Sequence, residues 1–254
     1  MTEAGARAAL VTGASVGIGR AISIALGGLG WRVALVARRD QALGETAELV
    51  SRAGGEPFVH TLDVCDIHSV DACWQACQEA MGPIDVLVNN AGITRPGAIH
   101  EMSDEDHALI LATNLLGPIL VTKRFVAARL EVGGGGDVVF ISSDAVQHPR
   151  PSLLTYGASK AGLDGVARTL ALEVEGTGIR STIVRVGPTL TAAGDEWDPA
   201  IFETLIPRWQ HFGLQRHWAT MAPDDVARAV VAAVTMPASA HVPEIEVQPV
   251  APRT

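Results

Sequence analysis

The chain has 254 residues, 48% of them apolar, and a formal net charge of −9 from 19 basic and 28 acidic side chains. An apolar share of that size excludes a disordered chain and can fill the core of one large or two small domains. An acidic chain without a basic stripe is a poor partner for nucleic acid or an anionic membrane, so neither is expected.

Short β-type runs alternate with longer helical patterns. "ARAALVTG" reads as a first strand and "GIGRAISIALGGLG" as the helix after it. "RVALVAR" is a second strand, followed by a helix over "DQALGETAELVSRAGG" with Asp40 as its expected N-cap. "PFVHTLDV" is a third strand, and the helix "SVDACWQACQEAMG" follows Asp66. "IDVLVNNAG" is a fourth strand, then a long helix runs from about Asp104 to Leu130. "DVVFISS" is the fifth strand, a helix covers Tyr156 to Glu175, and "RSTIVRVG" is the sixth strand. "PDDVARAVVAAVTM" gives a last helix and "EIEVQP" a last short strand. This alternation predicts an α/β fold: one Rossmann-type, doubly wound parallel sheet of about seven strands with helices on both faces. There is no linker or internal repeat, so residues 1–254 are expected to form a single domain.

Residues 189–222 break the rhythm. They hold Trp197, Phe202, Trp209, Phe212 and Trp218, five of the eleven aromatic residues in the chain. A long irregular insertion of this kind reads as a substrate-binding lid; the plainer alternative is a helical excursion packing its aromatics on the core.

Cys65, Cys73 and Cys77 are odd in number and form no CxxC pair, which suits buried free thiols in a reducing compartment. The opening "MTEAGARAALVTG" has no charged leader and no long apolar run, so a cytoplasmic location is expected. The eight histidines show no metal-ligand spacing, and no metal is expected.

The turn "VTGASVGIGRA" follows the first strand and opens the first helix. Gly13, Gly17 and Gly19, with Ser15 and Ile18 among them, allow a tight turn that brings backbone and helix N-terminus up to a pyrophosphate. The second strand ends in Ala37, where a carboxylate would bond the 2′-hydroxyl of NAD. Arg38 and Arg39 come next, and a guanidinium there suits a 2′-phosphate, so the expected cofactor is NADP(H).

The only tyrosine of the chain lies in "TYGASKAGL", with Lys160 four residues after Tyr156 and on the same helix face. A cation beside a phenol favours the phenolate, and a phenol so tuned trades protons with an alkoxide. Ser143 ends the fifth strand, where a hydroxyl can orient a carbonyl. Asn114, followed by Gly117-Pro118, predicts a kink in the long helix; a satisfied buried amide is the plainer reading.

Taken together, "TGASVGIG", "NNAG" from Asn89 to Gly92, Asn114, Ser143 and "YGASK" resemble the short-chain dehydrogenase/reductase family in its form of roughly 250 residues. The resemblance implies Tyr156 as general acid/base and Ser143 as carbonyl orienter. It implies that Lys160 lowers the tyrosine pKa and binds the nicotinamide ribose, and that Asn114 holds a water joining Lys160 to solvent. It places Asp63 at the adenine with Val64 beside it, Asn90 along the adenosine ribose, and Ala91 and Gly92 among the cofactor-binding residues. It also implies a homotetramer or homodimer joined through two long helices. After the sixth strand the family usually reads Pro-Gly, whereas here "VGPTLT" sets Thr189 after Pro188, with Thr191 as the candidate for the nicotinamide carboxamide.

The expected reaction is hydride transfer between NADP(H) and a carbonyl/secondary alcohol pair, with the aromatic insertion favouring a bulky apolar ketone. Arg95, His148 and Arg150 are candidates to meet a polar group on it. The alternative is a noncatalytic NADP(H)-binding sensor or scaffold of the same fold.

Overall fold

Ala8 and Leu10 of the first strand pack into one apolar cluster, and Ala9 and Val11 into another on the opposite face. That alternation is what a strand buried on both sides requires, and it explains the near-continuous apolar runs. The computed structural model describes residues 6–191, 197, 199–214 and 217–252. In chain order these give β1 (Ala8–Thr12), α1 (Gly17–Gly27), β2 (Arg32–Ala37), α2 (Asp40–Ala53), β3 (Glu56–Thr61), α3 (Ile67–Met81) and β4 (Val86–Asn89). Then come α4 (Asp104–Leu111), α5 (Gly117–Glu131), β5 (Gly136–Ser143), α6 (Leu154–Glu173), β6 (Ile179–Val186), α7 (Pro199–His211), α8 (Pro223–Val234) and β7 (Glu244–Val247). A π-helical turn over Ala112–Leu116 joins α4 to α5, and a 3-10 turn over Asp144–Val146 follows β5.

The sheet has seven strands in the order β3-β2-β1-β4-β5-β6-β7, every neighbouring pair parallel. The expected doubly wound, Rossmann-type α/β arrangement is therefore present. Residues of α1 and α8 share one cluster with the sheet, and residues of α3, α5 and α6 share the other. The winding reverses between β1 and β4, and such a reversal opens a ligand crevice at the carboxyl ends of the strands.

Several local expectations need correction. Asp40 is the first residue of α2, not its cap; Arg39 holds the N-cap position with no side-chain cap bond. The carboxylate still lies in the first turn, where the helix dipole favours it. The irregular insertion contains a regular helix, α7, which spans Pro207. Residues 192–196, 198 and 215–216 of that insertion lie outside the described residues. Cys73 and Cys77 are buried free thiols, but Cys65 is only half-buried. The run Asp104–Glu131 is long and apolar enough to cross a membrane by length and composition. Here it lies on the sheet with Val121 and Phe125 buried.

Candidate active site

Four strand ends and two helix starts converge at the crevice. After β1 the chain turns at Gly13, φ +67°, where an added Cβ would sit 2.9 Å from Ala91 Cα. At Gly19 the same atom would lie 2.3 Å from the Gly13 carbonyl oxygen and 2.5 Å from Asn90 Nδ2. Only glycine lets the turn, α1 and the loop after β4 approach so closely. Asn90 clamps this turn: its amide donates to the carbonyls of Thr12 at 2.9 Å and Gly13 at 3.2 Å. Thr12 Oγ1 accepts from the backbone N–H groups of Asn90 and Ala91, both at 3.0 Å. Ser15 is buried, and Ile18 packs on the cluster beneath α1. Gly17, φ +57°, faces Thr191, whose Cβ would be 3.4 Å from an added Cβ. Thr191 is thereby brought over the glycine turn.

Thr189 Oγ1 donates to the Gly187 carbonyl at 3.0 Å, and the backbone of Pro188 and Leu190 pairs with Met221 at 2.9 Å each. The segment replacing the usual Pro-Gly is thus tied to the entry of α8. Asp63 Oδ1 accepts from the Cys65 N–H at 2.9 Å, while Val64 is buried against Gly117. Arg38 and Arg39 are both exposed past the end of β2. Arg39 lines an open cleft of about 460 Å³ with Asp40, Gln41, Ala42 and Glu45.

On the other side of the crevice, Ser143 ends β5 and Tyr156 stands in the first turn of α6, with Lys160 one turn on. The Lys160 ammonium lies 6.0 Å from the centre of the Tyr156 ring and donates to the Ile141 carbonyl at 2.8 Å. An added Cβ at Gly92 would lie 3.5 Å from Lys160 Nζ and 3.4 Å from Asn114 Oδ1. Asn114 sits in the π-helical turn, where the kink was expected. Its side chain is fully engaged: Oδ1 accepts from the Ile93 N–H at 2.8 Å, and Nδ2 donates to the Ile93 carbonyl at 2.9 Å and to Ser159 Oγ at 3.1 Å.

The electrostatics differ from the expectation. Burial pushes the Tyr156 phenol above its ordinary value; the Ser143 hydroxyl pulls it down, Asp144 raises it and Arg150 lowers it. Burial lowers Lys160 to about 8, against the opposing pull of the Asp164 carboxylate. The Lys160 ammonium is held by the Ile141 carbonyl, 6.0 Å from the centre of the phenol ring. Two of the polar-group candidates are already committed. Arg150 forks onto Asp144 at 2.9 and 2.7 Å, and Arg95 pairs with Asp106 at 2.8 Å. His148 is exposed.

Over the tyrosine lies a small apolar cluster of Leu153, Leu205 and Trp209, joined by Tyr156, Trp197, Ile201 and Leu214. Trp209 Nε1 donates to the Pro151 carbonyl at 3.0 Å and Trp197 Nε1 to the Thr94 carbonyl at 3.2 Å. Phe212 and Trp218 are exposed, outside this cluster.

Residues 7–201 match the family model described as short chain dehydrogenase. The chain belongs to the short-chain dehydrogenase/reductase family. It is therefore an oxidoreductase. Among curated relatives it is 32% identical to sulfoacetaldehyde reductase 2 of Chromohalobacter salexigens, over 94% of this chain and 93% of that one. Among solved structures, a variant of actinorhodin polyketide ketoreductase with NADPH superposes at a TM-score of 0.85 and 32% identity, covering 98% of each chain. The alcohol dehydrogenase of the archaeon Thermococcus sibiricus, complexed with 5-hydroxy-NADP, follows at 0.81 and 29%, also covering 98% of each.

A dinucleotide is the cofactor such a dehydrogenase implies, and the residues present fit one. The glycine turn is a cradle that added Cβ atoms would fill, and the N-cap of α1, Val16, offers no side chain to its N–H groups. Uncapped N–H groups at a helix start suit a phosphate. Sequence reasoning did not single out Thr12, Ser159, Asp144 or the buried pair Asp164–Arg185 at 2.7 Å. Thr12 and Ser159 lie inside the quoted motifs, so position alone could have flagged them. The partners in the two ion pairs are 6 and 21 residues apart, on different elements, and no periodicity links them.

Proposed function

We propose that this short-chain dehydrogenase/reductase is an NADP(H)-dependent carbonyl reductase or alcohol dehydrogenase acting on a bulky apolar ketone or its secondary alcohol. The observation that carries this reading is the Ser143–Tyr156 pair at the carboxyl end of β5, with the Trp197–Trp209 cluster packed over the phenol. NADP(H), when bound, supplies the hydride for reduction or takes it up in oxidation. Gly13, Ser15, Gly17, Ile18, Gly19, Asn90, Ala91 and Gly92 would line its phosphates and ribose, and Arg38 and Arg39 its 2′-phosphate. Asp63 and Val64 would meet the adenine, and Pro188, Thr189 and Thr191 the nicotinamide end.

In reduction, Ser143 holds the substrate carbonyl oxygen and Tyr156 gives it a proton as negative charge develops there. Burial keeps the phenol protonated at neutral pH, which is the form a proton donor needs. Lys160 is the cation that can stabilise the phenolate left behind, and a proton affinity near 8 lets it exchange protons close to neutrality. Asn114 is assigned the water that links Lys160 to solvent, through its main-chain carbonyl in the π-helical turn. Arg95 and Arg150 are engaged by carboxylates, which supports an apolar substrate over an anionic one.

A homotetramer or homodimer is proposed, joined through the exposed leucines of the long helices, among them Leu111, Leu116 and Leu130. A cytoplasmic location is proposed from the free thiols. The test is NADPH consumption against a panel of ketones, aldehydes and 3-oxo esters. Turnover that falls by about a hundredfold or more in Tyr156→Phe, with NADPH still bound, supports the reading. Turnover unchanged in that variant, or none on any panel member, overturns it. Preference for NADH over NADPH would overturn the assignment of Arg38 and Arg39.

A further inference from the structure

Asp144 follows Ser143 directly and is 5% exposed. Three donors compete for its two oxygens. Arg150 Nη1 and Nη2 reach Oδ1 and Oδ2 at 2.9 and 2.7 Å, ordinary lengths for a charge-assisted fork. Ser143 Oγ also donates to Oδ1, but at 3.3 Å, while accepting from the Ala145 N–H at 3.1 Å. A hydroxyl bound to an uncontested carboxylate would sit several tenths of an ångström closer. The fork therefore loosens the bond that ties up the serine proton. That proton is the one Ser143 has to offer a carbonyl oxygen.

We propose that Arg150 is a positioning residue: by occupying both oxygens of Asp144 it leaves the Ser143 hydroxyl free to hold the substrate carbonyl, and it balances the Asp144 charge beside Tyr156. This rests on the proposed reaction and goes beyond the four residues assigned to it. The groups around the phenol bear it out from each side. Ser143 and Asp144 approach from the end of β5, Arg150 from the loop beyond, and Lys160 from the next turn of α6. From α4, His107 bonds Thr155 at 2.5 Å, and α7 brings the apolar Ile201, Leu205 and Trp209 against the cluster that holds the ring. Asp144 and Arg150 act on the phenol with opposite signs, so removing either one alone shifts it, in opposite directions.

Tyr156 is the only tyrosine in the chain, so its near-ultraviolet phenolate band reports one residue. The experiment titrates that band in the parent, Arg150→Gln, Asp144→Asn and the double variant, with circular dichroism at each pH to mark alkaline unfolding. The expected result is a midpoint moved up by about one pH unit in Arg150→Gln and down by about one in Asp144→Asn, with the double variant near the parent. In the same set, kcat for ketone reduction at neutral pH falls about tenfold in Arg150→Gln and recovers in the double variant, with KM for NADPH unmoved. Midpoints that both move the same way, or do not move, overturn the proposal. If Arg150→Gln does not fold, Asp144→Asn decides: a lowered midpoint supports it, and an unmoved or raised one sinks it. Midpoints displaced as expected in a protein that turns over no carbonyl would count against the reaction and leave the Arg150–Asp144 balance standing.

Discussion

Asn114 grips both backbone polar groups of Ile93, accepting from the N–H at 2.8 Å and donating to the carbonyl at 2.9 Å. A helix residue thus serves as the hydrogen-bond partner of the loop after β4. The second donor bond, to Ser159, joins the same amide to α6 between Tyr156 and Lys160. Asn114→Ala would leave the Ile93 N–H and carbonyl unpaired and take one of two bonds from Ser159 Oγ, around a fully buried position. The expected loss is about 3 kcal/mol of stability by urea unfolding, with no change in the slope. A loss under about 1 kcal/mol would show that water replaces the amide.

Lys160 is 5% exposed, and burial takes it from 10.5 to about 8. Below about 8 both folded and unfolded chains carry the charge, and folding bears its full desolvation cost. Between about 8 and 10.5 the unfolded chain binds the proton and the folded chain does not, so stability from this group rises with pH. The cost is about 3 kcal/mol, offset by about 1 from the bond to Ile141. Lys160→Met is therefore expected to stabilise the protein by about 2 kcal/mol at neutral pH, while removing activity. The gain should shrink as pH rises through that window. Tyr156 acts in the opposite sense, only above about pH 10, where the unfolded phenol ionises first. Thermal melts of both proteins across pH 6 to 10, without nucleotide, check this. A constant difference would mean that Lys160 carries no shifted pKa.

The strands were legible because both faces of this sheet are buried, so apolar runs such as "VALVA" and "DVVFIS" have no competing helical reading. Parallel topology followed from the helix after nearly every strand. The kink at Asn114 was legible from Asn, Gly and Pro in close succession, and the structure realises it as a π-helical turn. Asp40 was misread because Asp is a good cap, yet the backbone turns into the helix one residue earlier, at Arg39. The insertion read as irregular, with a helical excursion as the alternative, and part of it forms the regular helix α7, which spans Pro207. The tyrosine's environment was legible only in part. Burial raises its proton affinity first and Ser143, which the sequence placed there, pulls it down; Asp144 and Arg150 reach it through the fold, and no spacing announced them.

Close approach at Gly19 sets a sharp contrast with Gly44. An added methyl at Gly19 would meet a backbone carbonyl at 2.3 Å, whereas at Gly44, exposed within α2, it meets nothing within 4 Å. Gly19→Ala is expected to cost about 2 kcal/mol and to abolish nucleotide binding, measured by denaturation and by NADPH fluorescence titration. Gly44→Ala should add about 0.5–1 kcal/mol of stability, as helix propensity dictates, and leave binding untouched. Equal effects at the two sites would remove the glycine turn from the nucleotide cradle.

Trp197 spans the crevice from the far side: its indole bonds the Thr94 carbonyl at 3.2 Å and stacks on Phe202 with centroids 5.4 Å apart. It packs on the cluster that covers Tyr156. Shortening it should therefore widen the substrate wall and spare the nucleotide. Trp197→Ala is expected to lower kcat/KM for bulky apolar ketones by about tenfold and for acetone-sized ketones much less, since lost contact area scales with the substrate. The dissociation constant for NADPH should stay within about twofold of the parent. Steady-state kinetics over a size series, with nucleotide binding measured separately, read the two effects apart. A parallel loss in both would mean that the indole holds the fold of the segment and not the substrate.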